Sequence, residues 1–73
     1  MAFNYSKLLG RIVEICGTQA NFAEAMSLSE RTISLKLNNK INWKQSEIEQ
    51  ACSVLQIPYC DIPAYFFATK SQY

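Results

Sequence analysis

Apolar residues near the N-terminus repeat with the spacing of an α-helix. The repeat consists of Tyr5, Leu8, Leu9, Ile12, Val13 and Cys16. Such spacing places the apolar side chains on one face, which predicts a helix that buries this face in a core. Gly17 follows directly and can end the helix in the left-handed conformation.

Two shorter amphipathic segments follow with almost no residue to spare between them. Thr18 and Ser29 are suitable N-cap residues for the two segments. Their apolar positions are Phe22, Ala23 and Met26 in the first and Ile33 and Leu37 in the second. The pattern predicts two helices joined by a tight turn, the second ending near Asn38.

A fourth helical segment is indicated after a polar stretch. Asn42 followed by Gln45 resembles a capping pair, and Pro58 ends the segment because proline disfavours a helical conformation in the preceding residue. Its apolar positions are Ile48, Ala51, Cys52 and Leu55. The chain is therefore predicted to be all-α, a compact domain of four or five helices.

The C-terminal tail, residues 58–73, is rich in aromatic side chains. Asp61 either caps a short fifth helix with Pro63 in its first turn, or residues 64–69 are extended; the helix is favoured. A domain this small cannot easily shelter every aromatic, so Tyr65, Phe66 and Phe67 are predicted to form a dimer interface. The alternative is that the tail only closes the core.

Residues 18–38 resemble the helix-turn-helix of the Cro/repressor-type family. The resemblance rests on Gln19 opening the first motif helix, Ala23 at the small contact position and Ile33 as the apolar anchor. It implies a lambda-repressor-like helix-turn-helix domain spanning residues 1–73, most like a single-domain phage repressor of the Cro type. Ser27 departs from the family, which usually has glycine at this left-handed turn position.

The outer face of the second motif helix is predicted to read base edges. The candidate base-contacting residues are Glu30, Arg31, Ser34 and Leu35. Arg31 suits guanine, and Leu35 either meets a thymine methyl group or tucks against its own protein. Glu30 could accept a hydrogen bond from cytosine N4. Alternatively, it is only a first-turn acid that interacts favourably with the helix dipole, or a partner for the Gln19 side chain.

A block of basic residues coincides with this helix and the loop after it. Residues 31–44 contain no acid and four bases, which are Arg31, Lys36, Lys40 and Lys44. Residues 45–61 contain the acids Glu47, Glu49 and Asp61 and no base. A net charge of +1 argues against nucleic acid, but the position of the block favours it. The predicted phosphate contacts are Thr18, Gln19, Ser29, Lys36, Asn39, Lys40 and Lys44.

Composition sets aside several other classes of protein. The 73 residues include no histidine, no phosphate-binding glycine loop and no evident acid pair, so we expect no enzyme, no metal or other cofactor and no small-molecule ligand. Three cysteines without CxxC spacing are expected to be buried, reduced thiols. The absence of a long apolar run or signal pattern predicts a cytoplasmic protein without membrane contact.

Two functional hypotheses emerge from these patterns. The first is a transcriptional repressor that binds a pseudo-palindromic double-stranded DNA operator as a homodimer, with recognition helices about 34 Å apart. The alternative is a protein-interaction module of antirepressor or antitoxin type, which uses the same helical surface with Leu35 and the tail aromatics as anchors. The two differ in salt response, since phosphate contacts weaken steeply with salt.

Overall fold

A computed structural model describes residues 3–69, which contain five α-helices. These are α1 (Ser6–Cys16), α2 (Gln19–Ala25), α3 (Glu30–Leu37), α4 (Gln45–Leu55) and α5 (Ile62–Phe66). A 3₁₀ turn at Tyr59–Asp61 joins α4 to α5. The prediction of a compact all-α chain is confirmed, with five helices.

The first three helices begin and end where the sequence predicts. The N–H of Gly17, at φ 87°, donates to the Val13 carbonyl (3.0 Å) and ends α1. Thr18 Oγ1 accepts from the N–H of Asn21 (3.1 Å) at the start of α2. Ser29 caps α3 in the same way through Thr32. Each cap satisfies a backbone N–H that has no partner within the helix.

The turn between α2 and α3 has the left-handed residue that the motif requires. Ser27 has φ 59°, and the Leu28 N–H donates to the Ala23 carbonyl (2.9 Å) across the turn. A serine can therefore occupy this position, although glycine would do so at lower steric cost.

Helix α4 begins later than the predicted cap at Asn42. Lys44 is the N-cap, and its backbone N–H donates to Glu47 Oε1 (2.9 Å). Asn42 is not the capping residue, because the stretch before Lys44 is still irregular backbone. The helix ends at Leu55, and Gln56 turns the chain with φ 56° before Pro58.

The core is formed by residues from all five helices. Its largest fully buried side chains are Phe22, Phe66, Leu8, Ile12, Ile33 and Leu55. Two predictions are wrong in detail. Val13 belongs to the predicted stripe but is 59% exposed. Of the cysteines, which are all free, Cys52 is buried, Cys16 is half-buried and Cys60 is exposed.

The two ends of the described chain pair with each other. Phe3 and Thr69 form an isolated antiparallel bridge, and the Asn4 N–H donates to the Ala68 carbonyl (2.6 Å). The tail is therefore helical over α5 and extended only at its end. Residues 70–73 of the predicted tail contact lie outside the described residues. Within residues 3–69, no helix has the length and apolar content needed to cross a membrane.

Candidate functional site

The predicted base-reading face of α3 is only partly available to a ligand. Glu30 and Arg31 are exposed, whereas Ser34 and Leu35 are half-buried. The Asn38 side chain donates to the carbonyl oxygen of Ser34 (2.8 Å) and to its hydroxyl (3.3 Å). The Ser34 hydroxyl thus already has a partner within the helix.

Lys36 was predicted to contact phosphate, and the structure contradicts this. The residue is 3% exposed, and its Nζ lies 2.8 Å from Glu47 Oε1 and 3.0 Å from the Asn42 carbonyl oxygen. It also lies 5.8 Å from the centre of the Trp43 ring. An ammonium group that is buried and paired in this way is not available to a phosphate.

Glu47 completes this buried ion pair and feels two opposing effects. Burial alone would raise the pKa of its carboxyl group. The hydrogen bonds from Lys36 and from the Lys44 backbone, together with the charges of both lysines, lower it further than burial raises it. The pKa of Glu47 is therefore lower than its ordinary value of 4.5, and the pair ties the end of α3 to the start of α4.

Asn39 was also predicted to contact phosphate, and its side chain is likewise already engaged. The Phe3 N–H donates to Asn39 Oδ1 (2.9 Å), and Asn39 Nδ2 donates to the Phe3 carbonyl oxygen (3.0 Å). Asn39 is exposed, and these two bonds engage one N–H and one lone pair of its amide, so its phosphate contact stays a prediction.

The other predicted phosphate contacts divide between the caps and the surface. Thr18 and Ser29 act as N-caps, and Gln19 is half-buried. Lys40 and Lys44 are exposed. The basic block therefore presents fewer free cations than its sequence indicates.

The three tail aromatics predicted to form a dimer interface have different environments. Phe66 is 1% exposed and packs edge-on against Trp43, with ring centres 5.2 Å apart. It belongs to the core, so its assignment to a dimer interface is wrong. Tyr65 is half-buried beneath the ammonium group of Lys7 (5.0 Å), and Phe67 is 50% exposed.

Two adjoining cavities lie around the exposed Phe67 ring. They measure about 300 and 410 Å³, and Trp43, Ile48 and Phe67 line both. The remaining lining residues are Phe3, Tyr5, Asn42 and Phe66 in the first cavity and Gln45, Glu49 and Ile62 in the second. We call the joined cavities the aromatic groove.

The polar groups of the aromatic groove differ from those of a phosphate site. Among residues 3–69, its polar lining residues are Asn42, Gln45 and Glu49 together with the Tyr5 phenol, and none of these described lining residues is a lysine or an arginine. Burial raises the pKa of Tyr5, an effect partly opposed by the Trp43 indole. The buried Trp43 Nε1 is close enough to the Tyr5 phenol for this effect, but it makes no hydrogen bond of good geometry among the described residues. This site suits an apolar ligand group better than an anion.

Comparison with known proteins identifies the family of the chain. A family model described as "Protein of unknown function (DUF739)" matches residues 1–69. The chain belongs to this family. The DUF739 match replaces the Cro/repressor-type family suggested by residues 18–38, and that assignment is therefore wrong. No curated protein matches the chain.

A solved structure of similar sequence agrees with the DUF739 chain over almost its whole length. It is the solution structure of the modulator of repression (MOR) of the temperate bacteriophage TP901-1 from Lactococcus lactis. The two share 58% identity over 99% of this chain and 97% of the MOR chain, with a TM-score of 0.82. The prediction of a repressor that binds an operator is contradicted by this relative, which is a modulator of repression.

Proposed function

We propose that the chain is a modulator of phage repression that acts by binding a repressor protein. The observation that carries this proposal is its 58% identity with the TP901-1 modulator over 99% of the chain. It corresponds to the antirepressor alternative raised by the sequence. On this proposal residues 1–73 act as one domain of lambda-repressor-like shape, with the α2–α3 pair and its left-handed Ser27 used as a scaffold.

We assign the partner contact to the aromatic groove. A half-exposed Phe67 and the neighbouring Trp43 offer flat, rigid aromatic surfaces, the kind of side chain that dominates binding energy at protein interfaces. Cavities of about 300 and 410 Å³ leave room for apolar side chains of the partner.

Charge supports a protein partner over a DNA backbone. Within residues 3–69, the groove is lined by the acid Glu49 and by no base, so its described lining offers no cation to a phosphate group. On α3, the Lys36 charge is neutralised by Glu47 and the Asn39 amide is partly occupied. Arg31, Lys40 and Lys44 remain exposed, but a net charge of +1 gives the molecule little general attraction for DNA.

Titration of the chain with the purified TP901-1 repressor tests this proposal. We expect a complex detectable by calorimetry, and we expect Phe67→Ala to weaken it by at least about tenfold because the substitution removes the exposed aromatic anchor. Tyr59→Ala is the matched control. Tyr59 is 70% exposed but lines neither cavity, so the complex with this variant should be unchanged.

The competing DNA function is tested in the same samples. We expect no sequence-preferring complex between the chain and TP901-1 operator DNA, and no effect of Arg31→Ala on repressor binding. Failure of the unmodified chain to bind the repressor would contradict the proposed function. Equal losses from Phe67→Ala and Tyr59→Ala would contradict the assignment to the aromatic groove.

A further inference from the structure

Asn39 connects the end of α3 to a wall of the aromatic groove. It follows Asn38 at the helix end and adopts the left-handed conformation with φ 63°. Glycine would adopt this backbone at lower steric cost, and the contacts of the asparagine side chain offset that cost. Asn39 directs that side chain at a segment 36 residues away in sequence.

The Asn39 amide pairs with both backbone polar groups of a single residue of the N-terminal segment. Its Oδ1 accepts from the Phe3 N–H at 2.9 Å, and its Nδ2 donates to the Phe3 carbonyl oxygen at 3.0 Å. This two-way exchange resembles the pairing of opposite residues in an antiparallel ladder. The opposed donor and acceptor restrict both the position and the direction of the Phe3 backbone.

Phe3 in turn lines the groove. Its ring packs edge-on against Phe67, with ring centres 5.9 Å apart, and lies 6.1 Å from Tyr5. The backbone of Phe3 also forms the isolated bridge with Thr69. A single bridge, with the Asn4–Ala68 hydrogen bond beside it, is a weak restraint, so the two Asn39 bonds add substantially to the order of this segment.

We infer that Asn39 is a positioning residue for partner binding, because its side chain holds Phe3 in place as a wall of the aromatic groove. This inference rests on the proposed function. Without the amide, Phe3 becomes mobile in the free protein and must be ordered when the partner binds. That ordering reduces affinity although Asn39 itself does not line the groove.

Asn39→Gly is the first test, since it keeps the left-handed backbone and removes only the side chain. We expect about three- to tenfold weaker binding of the TP901-1 repressor, the cost of ordering one segment. Asn39→Asp retains the acceptor for the Phe3 N–H but loses the donor. Its affinity for the repressor should lie between those of the unmodified chain and Asn39→Gly. Gln56→Gly is the matched control, because Gln56 occupies the same left-handed region at the end of α4. Its affinity should equal that of the unmodified chain.

A double-mutant cycle separates positioning through Phe3 from a direct contact. If Asn39 acts through Phe3, adding Asn39→Gly to Phe3→Ala should weaken binding no further than Phe3→Ala alone. Nuclear Overhauser contacts between the Phe3 and Phe67 rings should be lost in free Asn39→Gly, while the core signals of Phe22 and Leu55 remain.

Each result bears on one of the two proposals. Unchanged affinity in Asn39→Gly, or additive losses in the cycle, would overturn the positioning role. If the unmodified chain does not bind the repressor, the proposed function fails. In that case the Phe3–Phe67 contacts still decide whether Asn39 holds Phe3, and their persistence in Asn39→Gly overturns the inference.

Discussion

Lys36 and Glu47 place two opposite charges between α3 and α4, where solvent hardly reaches. The side chains are 3% and 14% exposed, and the contact between them is 2.8 Å long. Glu47→Gln leaves the ammonium group buried without a countercharge, so we expect it to lower the free energy of unfolding by about 3 kcal/mol. Glu14→Gln is the control: its ion pair with Arg11 is exposed, and its loss should cost less than about 0.5 kcal/mol in urea unfolding. Equal effects would contradict a structural role for the buried pair.

The pH dependence of stability should contain a contribution from Glu47. Its pKa is lowered in the folded protein, so the folded state favours the charged form more strongly than the unfolded state does. This stability is present above the ordinary pKa of 4.5 and is lost as the pH falls through the lower, folded value. We therefore expect the stability difference between the unmodified chain and Glu47→Gln to shrink as urea unfolding is repeated below pH 4.5. A difference independent of pH would contradict the lowered pKa.

At the scale of elements, α5 and the residue after it divide their aromatics between the core and the groove. Phe66 is buried against Trp43, whereas its neighbour Phe67 is half-exposed. Phe66→Leu should therefore cost about 1–1.5 kcal/mol of unfolding free energy, since it leaves part of a packed site empty. Phe67→Leu, the same change one residue later, should stay within about 0.5 kcal/mol. Thermal and urea unfolding of both variants measure these changes. Equal losses of unfolding free energy would contradict the assignment of Phe66 to the core and Phe67 to the surface.

The elements follow from local sequence, whereas the site depends on contacts between distant residues. The spacing of Leu8 and Ile12 and the caps at Thr18 and Ser29 are local signals, and they correctly predict α1 to α3. Lys36 looks like a surface cation because nothing in its own helix indicates Glu47 eleven residues later. The pairing of Asn39 with Phe3 spans 36 residues and has no periodic signal. An acid that follows a basic block in the sequence is therefore a candidate internal partner for one of its lysines.

At the scale of the whole molecule, the same helices can serve DNA or protein binding, and surface charge and apolar exposure decide between them. Residues 18–38 have the spacing of a helix-turn-helix, and this spacing led to the prediction of operator binding. The 58% identity with the TP901-1 modulator overturned that prediction. The spacing was an insufficient guide because one fold supports more than one function. The signal available in the sequence was the low net charge of +1 beside a tail rich in aromatics.

Salt distinguishes these two uses of the molecule. No basic residue among residues 3–69 lines the proposed contact, the aromatic groove, so we expect its complex with the TP901-1 repressor to release few counterions. We expect the affinity to change less than about threefold between about 50 and 200 mM salt, whereas six to ten phosphate contacts would lose about 10³–10⁵ in affinity over this range. Burial of apolar surface should also give a negative heat-capacity change on binding. Calorimetry at several salt concentrations and temperatures measures both quantities, with the complex of the repressor and its operator as the salt-sensitive reference. A steep salt dependence with little change in heat capacity would mean that charged groups, not Phe67 and Trp43, hold the partner.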